Sequence, residues 1–331
     1  MKKIILISIC FVFIIACKHK NIPLISWEET TFHGNIKSVV EITYHPKIVD
    51  DSIVMMPLSG SFNRIDVAPN GQQTLEEVWA DEYGQIEKRW YYVYSPSGIL
   101  IEEQHLDAEK DPDNPVEEDY KSISKYDQYG NATETYIYEG DSLARKIIYK
   151  NTYQRDKIQK TVSYNALTDD IRYTNTYQYN KKGLLIREEF DNGNHNDFKY
   201  DTKGRLIYKR MGSGGQYYTY KYDKNDNKIE EKLFDEDGGE RLNTFYKYDA
   251  NNRVIECKHT PALGQEYYRN TRWYNTNGDM IKQESAWNTP ETDLSYTYTY
   301  TYDAQGNWIK RITYDEGNIS KVVIRTIEYY P

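Results

Sequence analysis

The stretch YTYTYTYDAQGNWIKRITYD, Tyr296 to Asp315, decides the fold. With a side-chain period of two, Tyr296, Tyr298, Tyr300 and Tyr302 share one face of a strand, while Thr297, Thr299 and Thr301 share the other. Both residue types favour strands. Asp303 then opens a four-residue turn, Asp303-Ala304-Gln305-Gly306, because its carboxylate accepts backbone N–H groups and Gly306 tolerates the positive φ that follows a type I turn. A second strand, Trp308 to Tyr314, returns antiparallel to the first.

The same order of aromatic, Asp/Asn/Ser, two free residues, Gly and apolar residues recurs at Tyr94 with Gly98, Tyr126-Asp127 with Gly130, Tyr179 with Gly183, Tyr200-Asp201 with Gly204, and Tyr274 with Gly278. Three copies are worn: Asp226 stands at the glycine place after Tyr222, Asn252 stands there after Tyr248, and Tyr153 precedes a shortened turn. Asp and Asn tolerate the left-handed region best among the other residues, so the first two keep the turn chemistry. From Tyr94 to Tyr302 the anchoring aromatics fall 32, 27, 26, 21, 22, 26, 26 and 28 residues apart. That period fits one hairpin per repeat and predicts units that need their neighbours to bury surface.

The fold class that follows is all-β: tandem antiparallel β-hairpins forming one long twisted or curled sheet, solenoid-like or open barrel-like. After each turn the apolar residues are adjacent, as in Leu185-Ile186, Val254-Ile255 and Trp308-Ile309, so both faces of the sheet carry apolar surface. Either the sheet rolls until distant parts cover one another, or one aromatic face is left for a partner.

Residues 1–16 read as a targeting segment, with Lys2 and Lys3 ahead of the apolar run Ile4 to Ile15. The run ends in Ile14-Ile15-Ala16-Cys17, which resembles the lipobox of bacterial lipoproteins. That resemblance implies cleavage before Cys17, acylation of its thiol, and a chain held in the cell envelope, on the outer membrane by the sorting signal at Lys18. Residues 17–31 are then a tether and 32–331 the repeat domain. Within it, irregular opening strands occupy 32–75, with Ile36 to Tyr44 a strand that Pro46 closes and short strands punctuated by Pro57, Gly60 and Pro69. Asp107 to Asp119, rich in Asp, Glu and Pro, reads as an exposed acidic loop.

The net charge is −9, and loss of Lys2 and Lys3 makes it more negative. With no clustered basic block, the chain lacks the footprint of a nucleic-acid binder. It would be repelled by anionic lipid, so the acyl anchor must hold it at the membrane. No cofactor and no metal is expected. The six histidines form no HExxH, the acidic run at Asp223 fails the calcium-loop pattern, and that at Asp235 lies where a return loop between hairpins is expected. Cys257 reads as a small buried hydrophobe.

Tyrosine is the compositional outlier, at 34 of 331 residues. Repeat-locked tyrosines are explained by hairpin packing. The ligand-binding candidates are the aromatics off the repeat register: Tyr217, Tyr218, Tyr220, Tyr267, Tyr268 and Trp287. The carboxylate pairs Glu76-Glu77, Glu102-Glu103, Glu188-Glu189 and Glu230-Glu231 invite a glycan hydrolase, but neighbours on a strand face opposite ways and cannot flank one bond.

The units YQYNKKGLLIREEFDNGN, FKYDTKGRLIYKR and YTYDAQGNWIKRITYD resemble the YD repeats of the RHS family, from about Trp79 to Tyr330. The chain is more similar to small YD-repeat lipoproteins of Bacteroidetes type than to the large members that enclose a cargo. The resemblance implies a non-enzymatic envelope protein that binds a glycan, a peptide or a partner protein. The alternatives are an accessory component of an envelope or RHS-like secretion assembly and, last, the hydrolase.

Overall fold

The computed structural model describes residues 32–49, 52–79, 86–107, 120–212, 214–262, 268–287 and 293–331. The signal segment, Cys17, the tether, Tyr267 and residues 108–119 of the acidic loop lie outside them.

The opening strands are β1 (Ile36–Val49), β2 (Ser52–Val67), β3 (Gln73–Trp79), β4 (Ile86–Tyr94) and β5 (Leu100–Asp107). Next come β6 (Tyr120–Tyr126), β7 (Ala132–Glu139), β8 (Ser142–Gln154), β9 (Lys157–Asn165), β10 (Ile171–Tyr179) and β11 (Leu185–Phe190). They are followed by β12 (His195–Tyr200), β13 (Leu206–Arg210), β14 (Tyr217–Tyr222), β15 (Lys228–Phe234) and β16 (Glu240–Tyr248). The last are β17 (Val254–Pro261), β18 (Tyr268–Tyr274), β19 (Met280–Trp287), β20 (Leu294–Tyr302), β21 (Trp308–Asp315) and β22 (Asn318–Tyr329).

Each strand pairs antiparallel with the next, and β22 returns to pair with β1 from Ile36 opposite Tyr329 to Tyr44 opposite Val322. The sheet therefore closes into a 22-stranded barrel, which settles the choice left open by the adjacent apolar residues. Its wall measures roughly 100 Å around at ~4.8 Å per strand, too wide for side chains to fill.

Repeat turns lie at one rim, after the even-numbered strands. In all but the shortened turn after Tyr153, the opening residue accepts the N–H three residues on and donates to the carbonyl four residues on, as Asp303 does with Gly306 and Asn307. Asp127 with Gly130, Asp201 with Gly204, and the turns ending at Gly183, Gly278 and Asn252 repeat that geometry. The Asp303 carboxylate also accepts N–H groups from Gln305 and Asn307, both at 2.9 Å. Asp226 and Asn252 have φ of 68° and 62°, so the worn copies keep the glycine conformation. The shortened turn after Tyr153 places Arg155 at φ 61°. Arg155→Gly should therefore raise stability by about 0.5–1 kcal/mol, the relief of a left-handed L-residue less the added freedom of the unfolded chain. Gly130→Ala, at φ 80° with open space around the added Cβ, should lower it by about 1 kcal/mol. Denaturant midpoints of the two variants check both signs.

At the other rim some return connections are equally tight, including Phe190 to Asn194 and Asp235 to Gly239, so the acidic run at Asp235 is a hairpin turn.

Two expectations for the opening strands are corrected. Pro46 does not close β1, which continues to Val49 along β2; pairing with β22 has already ended at Tyr44, so the missing proline N–H faces no strand on that side. The region expected to hold short strands contains β2, 16 residues long, in which Pro57 sits opposite Tyr44 beside a bulge.

The strand faces separate as the sequence pattern requires. Along β20 the tyrosines are half-buried and the threonines exposed. Following the register from strand to strand, the tyrosine face also carries the buried Val39, Ile65, Ile147, Ser163, Glu188, Asn196, Asn270, Ser285, Thr313, Val323 and Arg325. A curved single layer crowds side chains on its concave side, so the tyrosine face is the inner wall. The outer wall carries charge: Lys221 faces Glu230 at 2.9 Å, Lys247 faces Glu256 at 2.8 Å, and Lys125 faces Glu134 at 3.6 Å.

A compact apolar core, Ile36, Val39, Ile65 and Val67 with Phe32, Ile327 and Tyr329 packed against it, lies where β1, β2 and β22 meet. Elsewhere each hairpin is tied to its neighbour by tyrosine hydroxyls. Tyr200, Tyr222, Tyr248, Tyr274 and Tyr300 donate to the carbonyls of Leu185, Leu206, Lys228, Val254 and Met280 at 2.7–2.9 Å. Each acceptor is the fifth residue after a turn-opening Asp or Asn, so these tyrosines close the turn of the preceding hairpin; four of them are the repeat tyrosines, and the fifth, Tyr300, stands two residues before Tyr302, which donates to Asp279 at 2.6 Å. Phenylalanine at these positions would lose that bond.

Candidate binding site on the concave wall

The off-register aromatics divide between the two walls. Tyr218 and Tyr220 point inward and their rings run nearly parallel, 6.4 Å apart. Tyr217 points outward, stacked between Tyr208 and Phe234 at 5.4 and 4.7 Å. Tyr268 and Trp287 are direct partners across β18 and β19 on the inner wall, with ring centroids 4.5 Å apart. His259 flanks Tyr268 at 5.3 Å from its register position on β17. Trp287 keeps 38% of its surface exposed. The next inward positions from the rim are Asn270 and Ser285, which bond to each other at 2.9 Å. Arg272 donates to the Asn270 carbonyl oxygen at 2.9 Å. Rings are thus presented beside fixed amide, hydroxyl, imidazole and guanidinium groups.

A second cluster of the same composition escaped the sequence reading. Trp90 on β4 stacks on His105 of β5 at 4.9 Å and 6°, and Tyr120 at the start of β6 meets His105 edge-on at 6.1 Å. Tyr120 is 37% exposed. Trp90 and His105 are 15 residues apart in the sequence but opposite each other in register, so only the pairing reveals them. The residue-type signal was available: two of the chain's six histidines stand in these two clusters.

Cys257 shares the inner wall with His259, and its Sγ lies 3.6 Å from His259 Nε2, while His259 Nδ1 bonds the Thr244 hydroxyl at 2.9 Å. Burial pushes the thiol up and the imidazole down, which leaves a neutral pair rather than a thiolate nucleophile.

The carboxylate pairs split across the wall. Glu77 points outward and pairs with Arg89, whereas Glu76 points inward opposite Trp90. Glu188 points inward, is 3% exposed, and accepts amide hydrogens from Asn196 at 2.9 Å and Asn175 at 3.4 Å. Burial raises its pKa and the two amides offset only part of that rise. Because the folded value lies above the unfolded one, its contribution to stability is fully present below the ordinary carboxylate range and is lost as pH rises. Glu188→Gln should therefore gain stability near neutral pH and nothing in acid, read as a difference between two pH-dependent denaturation curves.

No family model matches the chain, and no curated protein does. Solved structures similar to it include TcdB2-TccC3-TEV, at 12% identity and a TM-score of 0.35 over 86% of this chain and 19% of that one. The Tc holotoxin pore of Photorhabdus luminescens gives 13% and 0.34 over 86% of this chain. A porin-like protein from Bacteroides uniformis gives 11% and 0.30 over 90% of this chain and 99% of that one. The chain spans about a fifth of the toxin chains that it resembles.

Proposed function

We propose that the chain is a non-enzymatic, lipid-anchored binding protein of the cell envelope that takes a glycan against the inner wall of its barrel. The observation that carries this reading is the Tyr268–Trp287 pair, an exposed indole packed on a phenol beside His259, on a wall of amides and hydroxyls. Sugars offer apolar ring faces to aromatics and hydroxyls to such polar groups. The negative net charge favours a neutral glycan over an acidic one.

The geometry also suits an anchor at Cys17. β1 begins at the rim of the repeat turns, where Phe32 and His33 pack against Arg325 and Asn307, and both aromatic clusters lie toward the opposite rim. A tether leaving at Phe32 would set the turn rim toward the membrane and the clusters away from it.

A glycan array on the soluble chain beginning at Lys18 tests the proposal. Trp287→Ala and Tyr268→Ala should weaken binding at least tenfold, and Tyr217→Ala, on the outer wall, should leave it unchanged. Absence of binding to every glycan would overturn the reading. One feature favours the accessory-component alternative: the β1–β2 hairpin runs past its neighbours, with Val49, Val54 and Met56 exposed. Its unpaired edges could add strands from a partner.

A further inference from the structure

The two aromatic clusters are alike in four respects. Each holds one Trp, one His and one Tyr, taken from three successive strands. Each faces inward. Each lies toward the rim opposite the repeat turns, with Tyr120 and Tyr268 opening their strands there. Each keeps one ring well exposed, Tyr120 in the first and Trp287 in the second. The repeat does not demand them, because the turn-closing tyrosines sit toward the other rim. Between them the inner wall presents Ile137 and Asn196, and also the pair Tyr218 and Tyr220, which has no Trp or His beside it in register.

Around the ring, β5 and β18, the central strands of the two clusters, stand nine steps apart by way of β1 and β22. At ~4.8 Å per strand that is about 40 Å along the wall.

We propose that Trp90–His105–Tyr120 and His259–Tyr268–Trp287 are two subsites for one linear, neutral oligosaccharide that touches both at once. This rests on the glycan reading above and adds to it a minimum ligand length and a second set of residues. Each subsite alone is a shallow stacking surface and binds weakly. A chain that reaches from one to the other makes its second contact at a high effective concentration, so affinity rises steeply once the span is met.

The test is a calorimetric length series on the soluble chain, with the disaccharide, tetrasaccharide and decasaccharide of β-1,4-linked N-acetylglucosamine and of β-1,4-linked glucose. The decasaccharide spans the distance and the tetrasaccharide falls well short. The expected result is a decasaccharide affinity about 10²-fold or more above the tetrasaccharide's, with one long chain bound per barrel. Trp90→Ala and Trp287→Ala should each reduce it to the tetrasaccharide level, and the double variant should abolish it. Trp90→Phe and Trp287→Phe, which retain a stacking face, should keep most of the affinity, and matching thermal midpoints separate lost binding from lost folding. Equal affinity per site for long and short chains, or a decasaccharide affinity indifferent to Trp90→Ala, would overturn the two-subsite proposal and leave the single-site reading standing. Binding of neither series would overturn the two-subsite proposal, and the glycan reading falls with it only if the array is blank as well.

Discussion

Replacing Glu41 with Ala should cost about 3–5 kcal/mol, the largest single-residue loss expected anywhere in the barrel, because it removes the carboxylate that pairs with a buried guanidinium. Glu41 on β1 accepts from Arg325 Nε on β22 at 2.7 Å, with side chains 14% and 2% exposed. Arg325 Cζ also sits over the Trp308 ring, 3.2 Å from its centroid, and approaches Phe32 at 5.2 Å. A stacked guanidinium on an indole suits arginine and would not suit lysine.

Among the described strands this pair spans the only junction made by residues from the two ends of the barrel, 284 positions apart. Every other junction is a hairpin, closed at low entropic cost, whereas this one must close a loop of nearly the whole domain. Losing it would also expose two unpaired edges, which promote association. The expected phenotype is therefore a reduced denaturation midpoint together with concentration-dependent oligomers. A loss below about 1 kcal/mol would show that water solvates Arg325 at the seam and would sink the argument. The paired change Glu41→Leu with Arg325→Met should recover most of the loss, since burying neither charge is close to neutral. The cycle of single and double variants measures the coupling directly.

The repeating part of the fold was legible because its signals are local. Tyr-Asp-x-x-Gly states strand, cap and left-handed turn within five residues, and even Asp226 and Asn252 were readable as substitutes from their backbone preference. Closure was not legible, since it depends on the pairing of β1 with β22, and the β1 sequence lacks the repeat. Proline misled the reading for a related reason. Pro46 and Pro57 break a strand only when a partner needs the missing N–H, and partner identity is a tertiary fact.

The candidate site was half legible. Tyr268 and Trp287 stood out as aromatics off the repeat register, and the structure brings them together across one ladder. Tyr217 stood out equally and points the other way, because neighbours on a strand alternate between the walls. Trp90 and His105 could be recognised only once the register was known.

The same wall should make the protein fail cooperatively in alkali. Burial raises the pKa of Tyr173, Tyr179, Tyr246 and Tyr329 to about 12, and that of Tyr92, Tyr126, Tyr153, Tyr220 and Tyr300 further still. The fold therefore favours the neutral phenol. The associated stability is fully present below the ordinary tyrosine value near 10, and is lost as pH rises from there through the folded values. Nine rings at ~1.4 kcal/mol per pH unit, halved for solvent screening, withdraw about 6 kcal/mol per unit, comparable with the whole stability of a domain. In a spectrophotometric titration the exposed phenols should ionise gradually near pH 10. The remainder should ionise in one steep step that coincides with loss of the strand signal in circular dichroism. Tyr220→Phe removes one of the raised groups without touching the turn-closing hydroxyls, so it should move that step to higher pH and leave neutral stability nearly unchanged. Smooth ionisation of all the tyrosines around their ordinary value, with the sheet intact, would show that the inner wall is hydrated throughout and that burial does not hold its phenols neutral.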